Sequence, residues 1–300
     1  MRESVFKSFD GKDIFYREWG GENSNPKGLI QIVHGMAEST DRYNDFAEFM
    51  VKNGYIVFGD DHRGHGKTDN LSGYASGDMF RLTLSDVSIL GNLYKKLYPN
   101  LPLIVLGHSY GSFLSQAYLE KYPNQADGVI LGGSAMMKGA LISAGLVISK
   151  FNCAIGRKKA PAKLLANMSF GSYNKKFSEG SFISSIVEEC KKYDEAWDCG
   201  FTLSYNFYRY FFKGLSSLYK ESEYSKINKK TPLLLISGKD DPVGEMGKSV
   251  DDLYNFYTQM VGVEKVEKVL YEGVRHEYFN DTSKAEAFKK ILSYCESVKK

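Results

Sequence analysis

Ser109 stands in Gly107-His108-Ser109-Tyr110-Gly111, a G-x-S-x-G pentapeptide between the apolar run Leu103 to Leu106 and the stretch Ser112 to Tyr122. In that second stretch Phe113, Leu114, Ala117, Tyr118 and Leu119 fall along one side of a helix. A strand that turns into a helix through so short a corner needs small residues where other backbone passes close, and Gly107 and Gly111 supply them. The corner pushes the hydroxyl outward, beside helix N–H groups that have no partner and suit a developing oxyanion. Alone the pattern reads as a plain turn. Its flanks make Ser109 a candidate nucleophile.

A serine hydroxyl attacks only when a base takes its proton, so a histidine and an orienting acid must exist elsewhere in the chain. Of five histidines, His34, His62, His65 and His108 precede or adjoin the serine, whereas His276 follows the strand-like run Val266 to Tyr271. In doubly wound hydrolases the chain order is serine, acid, histidine, which selects His276. The acid then falls between the two. Leu233 to Ser237 reads as a buried strand, followed by Gly238 and the adjacent carboxylates Asp240 and Asp241. Asp241 is favoured because Pro242 biases its backbone toward extended geometry, with Asp240 as the alternative. In isolation the dipeptide would be two solvated turn residues.

An oxyanion needs two donors: the N–H of Tyr110, just after the serine, and one from a loop after an earlier central strand. Leu29 to Val33 followed by His34-Gly35-Met36 fits, with Met36 the second donor and His34 a residue that fixes the loop.

These pieces resemble the monoacylglycerol lipase and lysophospholipase branch of the α/β-hydrolase superfamily. The resemblance is carried by Asp10-Gly11 with Tyr16-Arg17, His34-Gly35-Met36-Ala37-Glu38 with Arg42-Tyr43, and Asp61-His62-Arg63-Gly64-His65-Gly66. It continues in the serine pentapeptide, Asp241-Pro242-Val243-Gly244 and Tyr271-Glu272-Gly273-Val274-Arg275-His276-Glu277. It implies the triad Ser109, Asp241, His276 and supports Asp241 as the acid, since the family carries its acid at that place. Ser112 stands where many relatives have a further glycine.

The elements that must hold these residues are six strand-like runs alternating with helical ones: 29–33, 55–59, 103–106, 128–131, 233–237 and 266–271. The fold class expected is α/β, a doubly wound, mostly parallel sheet with a helical cap insertion. Val5 to Trp19 reads as an antiparallel hairpin on the sheet edge. At 300 residues and 43% hydrophobic the chain suffices for one core, divided as residues 1–136 and 229–300 for the core and 137–228 for the cap. No signal sequence or membrane span is expected, and four cysteines without metal spacing suggest free thiols in a reducing, cytoplasmic setting, with a Cys190–Cys199 pair as the alternative.

Residues 137–228 carry fourteen Lys and Arg against eight Asp and Glu, although the whole chain is only +3. Two readings stand open: a solvated surface, or a basic cap that meets an anionic membrane peripherally. Ala140 to Phe151 is too short to span a bilayer and reads as core packing or as an interfacial lid helix. The aromatic run in 201–219, with Tyr205, Tyr208 and Phe212 at helical spacing, reads as an acyl-site lining, core packing or a contact between copies in a homo-oligomer.

Gly66-Lys67-Thr68 lacks the first glycine of a phosphate-binding loop, which would fall at Asp61. Asp60, Asp61, His62 and His65 read as a hydrogen-bonded loop rather than a metal site, and Glu38 with Arg42 as a structural pair spaced for a helix. The expected partner is a small-molecule or lipid ester. No cofactor, metal or nucleic acid is expected. The rival activities are a general carboxylesterase or thioesterase, a small-residue aminopeptidase, and a ligand receptor of low turnover.

Overall fold

The computed structural model describes residues 1–70 and 72–298, apart from the side chains of residues 169 and 170. Eight strands form one sheet: β1 (Arg2–Lys7), β2 (Asp13–Trp19), β3 (Gly28–Val33), β4 (Tyr55–Asp60), β5 (Leu103–His108), β6 (Gly128–Gly132), β7 (Leu233–Gly238) and β8 (Val266–Tyr271). Their order is β1-β2-β4-β3-β5-β6-β7-β8. The hairpin of β1 and β2 joins antiparallel at one edge, and every pairing from β4 through β8 is parallel. All six expected strands are present.

Alternation decides what each face buries. Ile104, Leu106, Ile130, Leu234 and Ile236 point to one side, where Phe46, Ala47 and Met50 of helix Asn44–Lys52 and Phe288, Ile291 and Tyr294 of helix Lys284–Ser297 cover them. Val105, Val129, Leu131, Leu233 and Leu235 point to the other, beneath Phe113, Leu114 and Tyr118 of helix Tyr110–Lys121. Because the middle strands are buried on both faces, they read as continuous apolar runs rather than alternating ones.

Between β6 and β7 the sheet gains no strand. Among the described residues this insertion holds helices Ala140–Ala154, Val187–Glu195 and Tyr205–Leu215, with shorter turns between them. Helix Tyr205–Leu215 begins at Ser204, whose hydroxyl accepts the Phe207 N–H at 3.2 Å, so the aromatic run is helical only from Tyr205. Near its end the insertion is tied back to the place where it begins. The Tyr219 hydroxyl donates to Gln116 Oε1 at 2.7 Å and lies 3.3 Å from the carbonyl of Ala135. Gln116 in turn donates to Ser134 Oγ at 3.0 Å, and Ser112 Oγ reaches the same atom at 2.9 Å.

The four cysteines are free and buried. No helix among the described residues is long and apolar enough to cross a membrane.

Candidate active site

Because β3, β4, β5, β7 and β8 run parallel, the loops after their carboxyl ends gather at one edge of the sheet, and every residue singled out for chemistry lies there. Ser109 sits between β5 and helix Tyr110–Lys121 at φ 52°, ψ −118°. A side-chain-bearing residue adopts such geometry at a cost of about 1–3 kcal/mol. It is held by its own N–H donating to the Gly132 carbonyl at 2.9 Å and by its carbonyl accepting from Ser112 Oγ at 2.6 Å. The two glycines are required by space. A Cβ on Gly107 would lie 2.4 Å from the Gly111 carbonyl oxygen, and one on Gly111 would lie 1.8 Å from that of Val33.

Ser109, His276, Gly35 and Met36 line one small cavity. His276 Nδ1 donates to Asp241 Oδ2 at 2.8 Å. Asp241 is fully buried and also accepts the Val243 N–H at 2.9 Å and the Ser237 hydroxyl at 3.3 Å. The neighbouring Asp240 is held through its amide, which donates to the Val274 carbonyl at 2.9 Å. Thus the structure brings Ser109, Asp241 and His276 together from three loops, and the carboxylate that meets the imidazole is Asp241.

Burial opposes charge on His276, but the Asp241 carboxylate outweighs it, with Glu277 and Glu38 adding to the effect, and the imidazole pKa is raised. Other histidines go the opposite way. Burial, reinforced by the neighbouring rings of His62 and His65, holds His34 well below the ordinary range. Burial and then His62 bring His65 to about 3. His108, whose ring centroid lies 4.7 Å from that of His276, is held low by burial and then by His276 and Arg42.

The loop after β3 is fixed from several directions. Neutral His34 donates from Nδ1 to the Gly35 carbonyl at 2.8 Å and accepts the His62 N–H at Nε2 at 2.9 Å. The Gly35 N–H donates to the Glu38 carboxylate, which also accepts from Tyr43 Oη at 2.7 Å. Glu38 precedes the short helical turn Thr40–Tyr43 and makes no helix pair with Arg42. Arg42 instead pairs with Glu277, beside the candidate base, and Glu277 accepts from Asn280 Nδ2 at 3.0 Å. The spacing of Glu38 and Arg42 was suggestive only if both lay on one helix. Asp61 accepts from Arg17 at 2.9 Å and from the Thr40 hydroxyl at 2.7 Å, and Asp60 from His62 at 2.8 Å, which makes this segment the expected structural loop.

Two larger cavities lie nearby, one lined in part by Ser109 and the other sharing walls with the small cavity at Ser109. One, of about 920 Å³ with its open mouth included, is walled by Met36, Tyr110, Phe113, Ile142, Tyr208, Phe211, Phe212 and Val243. Tyr208 and Phe212 lie where the spacing placed them, but Tyr205 does not line this space. One turn earlier on its helix, it packs beneath the guanidinium of Arg157, 5.3 Å from its ring centroid. The second cavity carries polar groups, Asn174, Ser181, Tyr193, Asp194 and Thr202, and shares Phe182, Ile183 and Tyr193 with the space at Ser109. Phe182 and Ile183 also accept the backbone N–H groups of His276 and Glu277 at 3.1 and 2.8 Å. Sequence spacing gave no signal for these contacts.

A family model described as serine aminopeptidase, S33, matches residues 24–283. The chain belongs to this family of α/β hydrolases. The S33 chain is 32% identical over 141 residues to a monoacylglycerol lipase of Mycolicibacterium smegmatis, covering 45% of this chain and 47% of the relative. It is 33% identical over 122 residues to the monoglyceride lipase of Rattus norvegicus, covering 41% and 39%. Each match therefore spans under half the length of the curated relative. A thermostable carboxyl esterase from Bacillus coagulans superposes with a TM-score of 0.88 at 25% identity, covering 99% of this chain and 98% of the other.

The electrostatics of the S33 site give a direct expectation. In histidine NMR titrations His276 should show a midpoint above the ordinary value of about 6.5, and Asp241→Asn should drop it below, because burial is then opposed only by the weaker pull of Glu277 and Glu38. The charged pair stabilises the fold fully below about pH 6.5, and that contribution is lost as pH climbs through the raised midpoint. Equal midpoints in the two proteins would refute the pairing.

Proposed function

We propose that this S33 hydrolase cleaves carboxylic esters of the monoacylglycerol type, a long acyl chain on a small neutral polyol. The observation that supports this most is the pair of unlike cavities on either side of the small one at Ser109: a wide apolar one that Ser109 itself lines, suited to an acyl chain, and one of mixed lining with several polar side chains, suited to an alcohol. In this reading residues 137–228 are the cap that supplies most of both. Ser109 attacks the ester carbonyl as His276 takes its proton, Asp241 holds the imidazole in the needed tautomer, and the Met36 and Tyr110 N–H groups receive the oxyanion. The imidazolium then protonates the departing alcohol. Water repeats the cycle on the acyl-enzyme.

The charge around the polar cavity separates neutral from phosphate-bearing leaving groups. Among the described residues Asp194 is the one acidic side chain in its wall, Glu38 and Glu277 line the adjoining small cavity, and neither wall holds a Lys or Arg. An anionic headgroup would meet carboxylates there, so a lysophospholipid fits less well than a monoacylglycerol. An aminopeptidase would need a cluster of carboxylates able to hold an α-ammonium group, but Glu38 and Glu277 are engaged by Gly35, Tyr43, Arg42 and Asn280, which leaves Asp194 as the single acid in the wall.

The outer face of the cap fits a lipid surface. Leu141, Val147 and Phe151 of helix Ala140–Ala154 are 80%, 66% and 63% exposed, and Leu141 with Met168 also edges the apolar cavity. Lys150, Lys158, Lys159 and Lys163 stand close by in sequence, so this face joins apolar knobs to positive charge in the manner of an interfacial helix.

A hydrolysis panel tests the reading. Wild type should cleave monoacylglycerols faster than lysophosphatidylcholine or an aminoacyl amide and react with a fluorophosphonate, while Ser109→Ala should lose about 10⁴-fold or more in kcat on every ester. Preference for the amide, or full activity without Ser109, would overturn it. Phe212→Ala should move the acyl-length preference toward longer chains by about tenfold in relative kcat/KM, and an unchanged profile would remove this ring from the acyl site. Phe151→Glu should weaken cosedimentation with phosphatidylglycerol vesicles by about tenfold, leaving short-chain ester hydrolysis intact. Undiminished sedimentation would dismiss the lipid-facing role.

A further inference from the structure

We propose that the cap segment from Tyr193 to Gly200 belongs to the oxyanion machinery, with Tyr193 a positioning residue that acts through the Ala37 peptide. This rests on the reading of the Met36 N–H as an oxyanion donor.

Ala37 is buried and sits at φ 56°, in the left-handed region that a residue with a side chain rarely adopts. Two peptide planes meet at its Cα, and both are pinned. The plane before it donates the Ala37 N–H to His65 Nε2 at 3.2 Å. The plane after it offers the Ala37 carbonyl, which accepts from the Gly200 N–H and from the Tyr193 hydroxyl, each at 3.0 Å. With both planes fixed, neither dihedral at residue 37 can relax toward ordinary backbone. Met36 is thereby fixed on its carbonyl side, and the peptide that carries its N–H is held on the other side through the Gly35 carbonyl, which accepts from His34 Nδ1 at 2.8 Å.

The two jaws of this clamp come from different parts of the chain. His65 belongs to the core, and it can accept a hydrogen bond at Nε2 because burial keeps the ring neutral while Nδ1 donates to the Arg63 carbonyl at 3.1 Å. Tyr193 and Gly200 belong to the cap, 156 residues from Ala37 in the case of Tyr193. The same seam is closed by Ser39 donating to the Asp198 carboxylate, by the Arg42 guanidinium 5.4 Å from the Tyr193 ring centroid, and by Phe201 edge-on to His65 at 5.2 Å. A seated cap therefore sets the oxyanion loop, and a displaced cap releases one jaw. The contact favours the transition state over the bound ester, since the oxyanion exists only after attack.

Tyr193→Phe keeps the ring against Arg42 and removes only the hydroxyl. On a short aryl ester its kcat should fall about fivefold to tenfold, with KM changed by less than about twofold. Binding of an alkyl trifluoromethyl ketone is the sharper measure. Ser109 Oγ adds to the ketone carbon, its proton passes to His276, and the former carbonyl oxygen becomes the oxyanion. Affinity for this ketone should fall by the same factor as kcat, while the pH midpoint set by His276 stays put. A variant equal to wild type in kcat and ketone affinity, or one that loses only KM or only thermal stability when active sites are counted by fluorophosphonate, overturns the clamp. A wild type that hydrolyses no ester and binds no ketone sinks the ester-hydrolase reading beneath it, which the same experiment separates from failure of the clamp alone.

Discussion

The approach of one backbone to another at Gly111 fixes the geometry of everything at this edge of the sheet. Its Cα sits against the Val33 and His34 carbonyls so closely that a methyl group would overlap them. That contact brings the head of the serine-bearing helix onto the end of β3. It makes neighbours of two stretches more than seventy residues apart, the turn that exposes Ser109 and the loop that carries Met36. Once they are neighbours, a hydroxyl and two amides can face one reacting carbonyl, and the remaining loops have only to deliver an imidazole and its acid.

A neighbouring carboxylate sorts the buried histidines. His34, His65 and His108 are enclosed with no carboxylate strong enough to offset the lost hydration, so they stay neutral, and His34 and His65 each donate from Nδ1 and accept at Nε2. His276 is no less buried, yet Asp241 at 2.8 Å reverses the balance. The distinction lies in one carboxylate and its supports, the Val243 amide and the Ser237 hydroxyl.

Much of this was legible in the chain. Apolar runs marked the five interior parallel strands β3 to β7 because strands buried on both faces leave no room for polar alternation, and glycine-flanked Ser109, Asp241 before Pro242, and His276 after the edge strand β8 stood at strand ends. What stayed hidden came from contacts between distant segments. Nothing near Arg42 announces Glu277, 235 positions away, and nothing near Ala37 announces Tyr193. Tyr205 shows the limit of periodicity: helical spacing gives a face, but the length of the cavity decides which turns of that face reach it. Glu38 and Arg42 show another, because a spacing of four carries meaning only on a continuous helix.

The meeting of Tyr219, Gln116 and Ala135 has a bearing on how such enzymes diversify. A long excursion tied back, near its end, to the place where it begins leaves the strand pairings on either side indifferent to its length, so insertions and deletions within it carry little entropic cost to the host sheet. Chimeras that exchange residues 137–228 should retain a sound scaffold. In the proposed clamp, their turnover would then depend on whether the donor brings a hydroxyl and an amide to the carbonyl of residue 37, as Tyr193 and Gly200 do here.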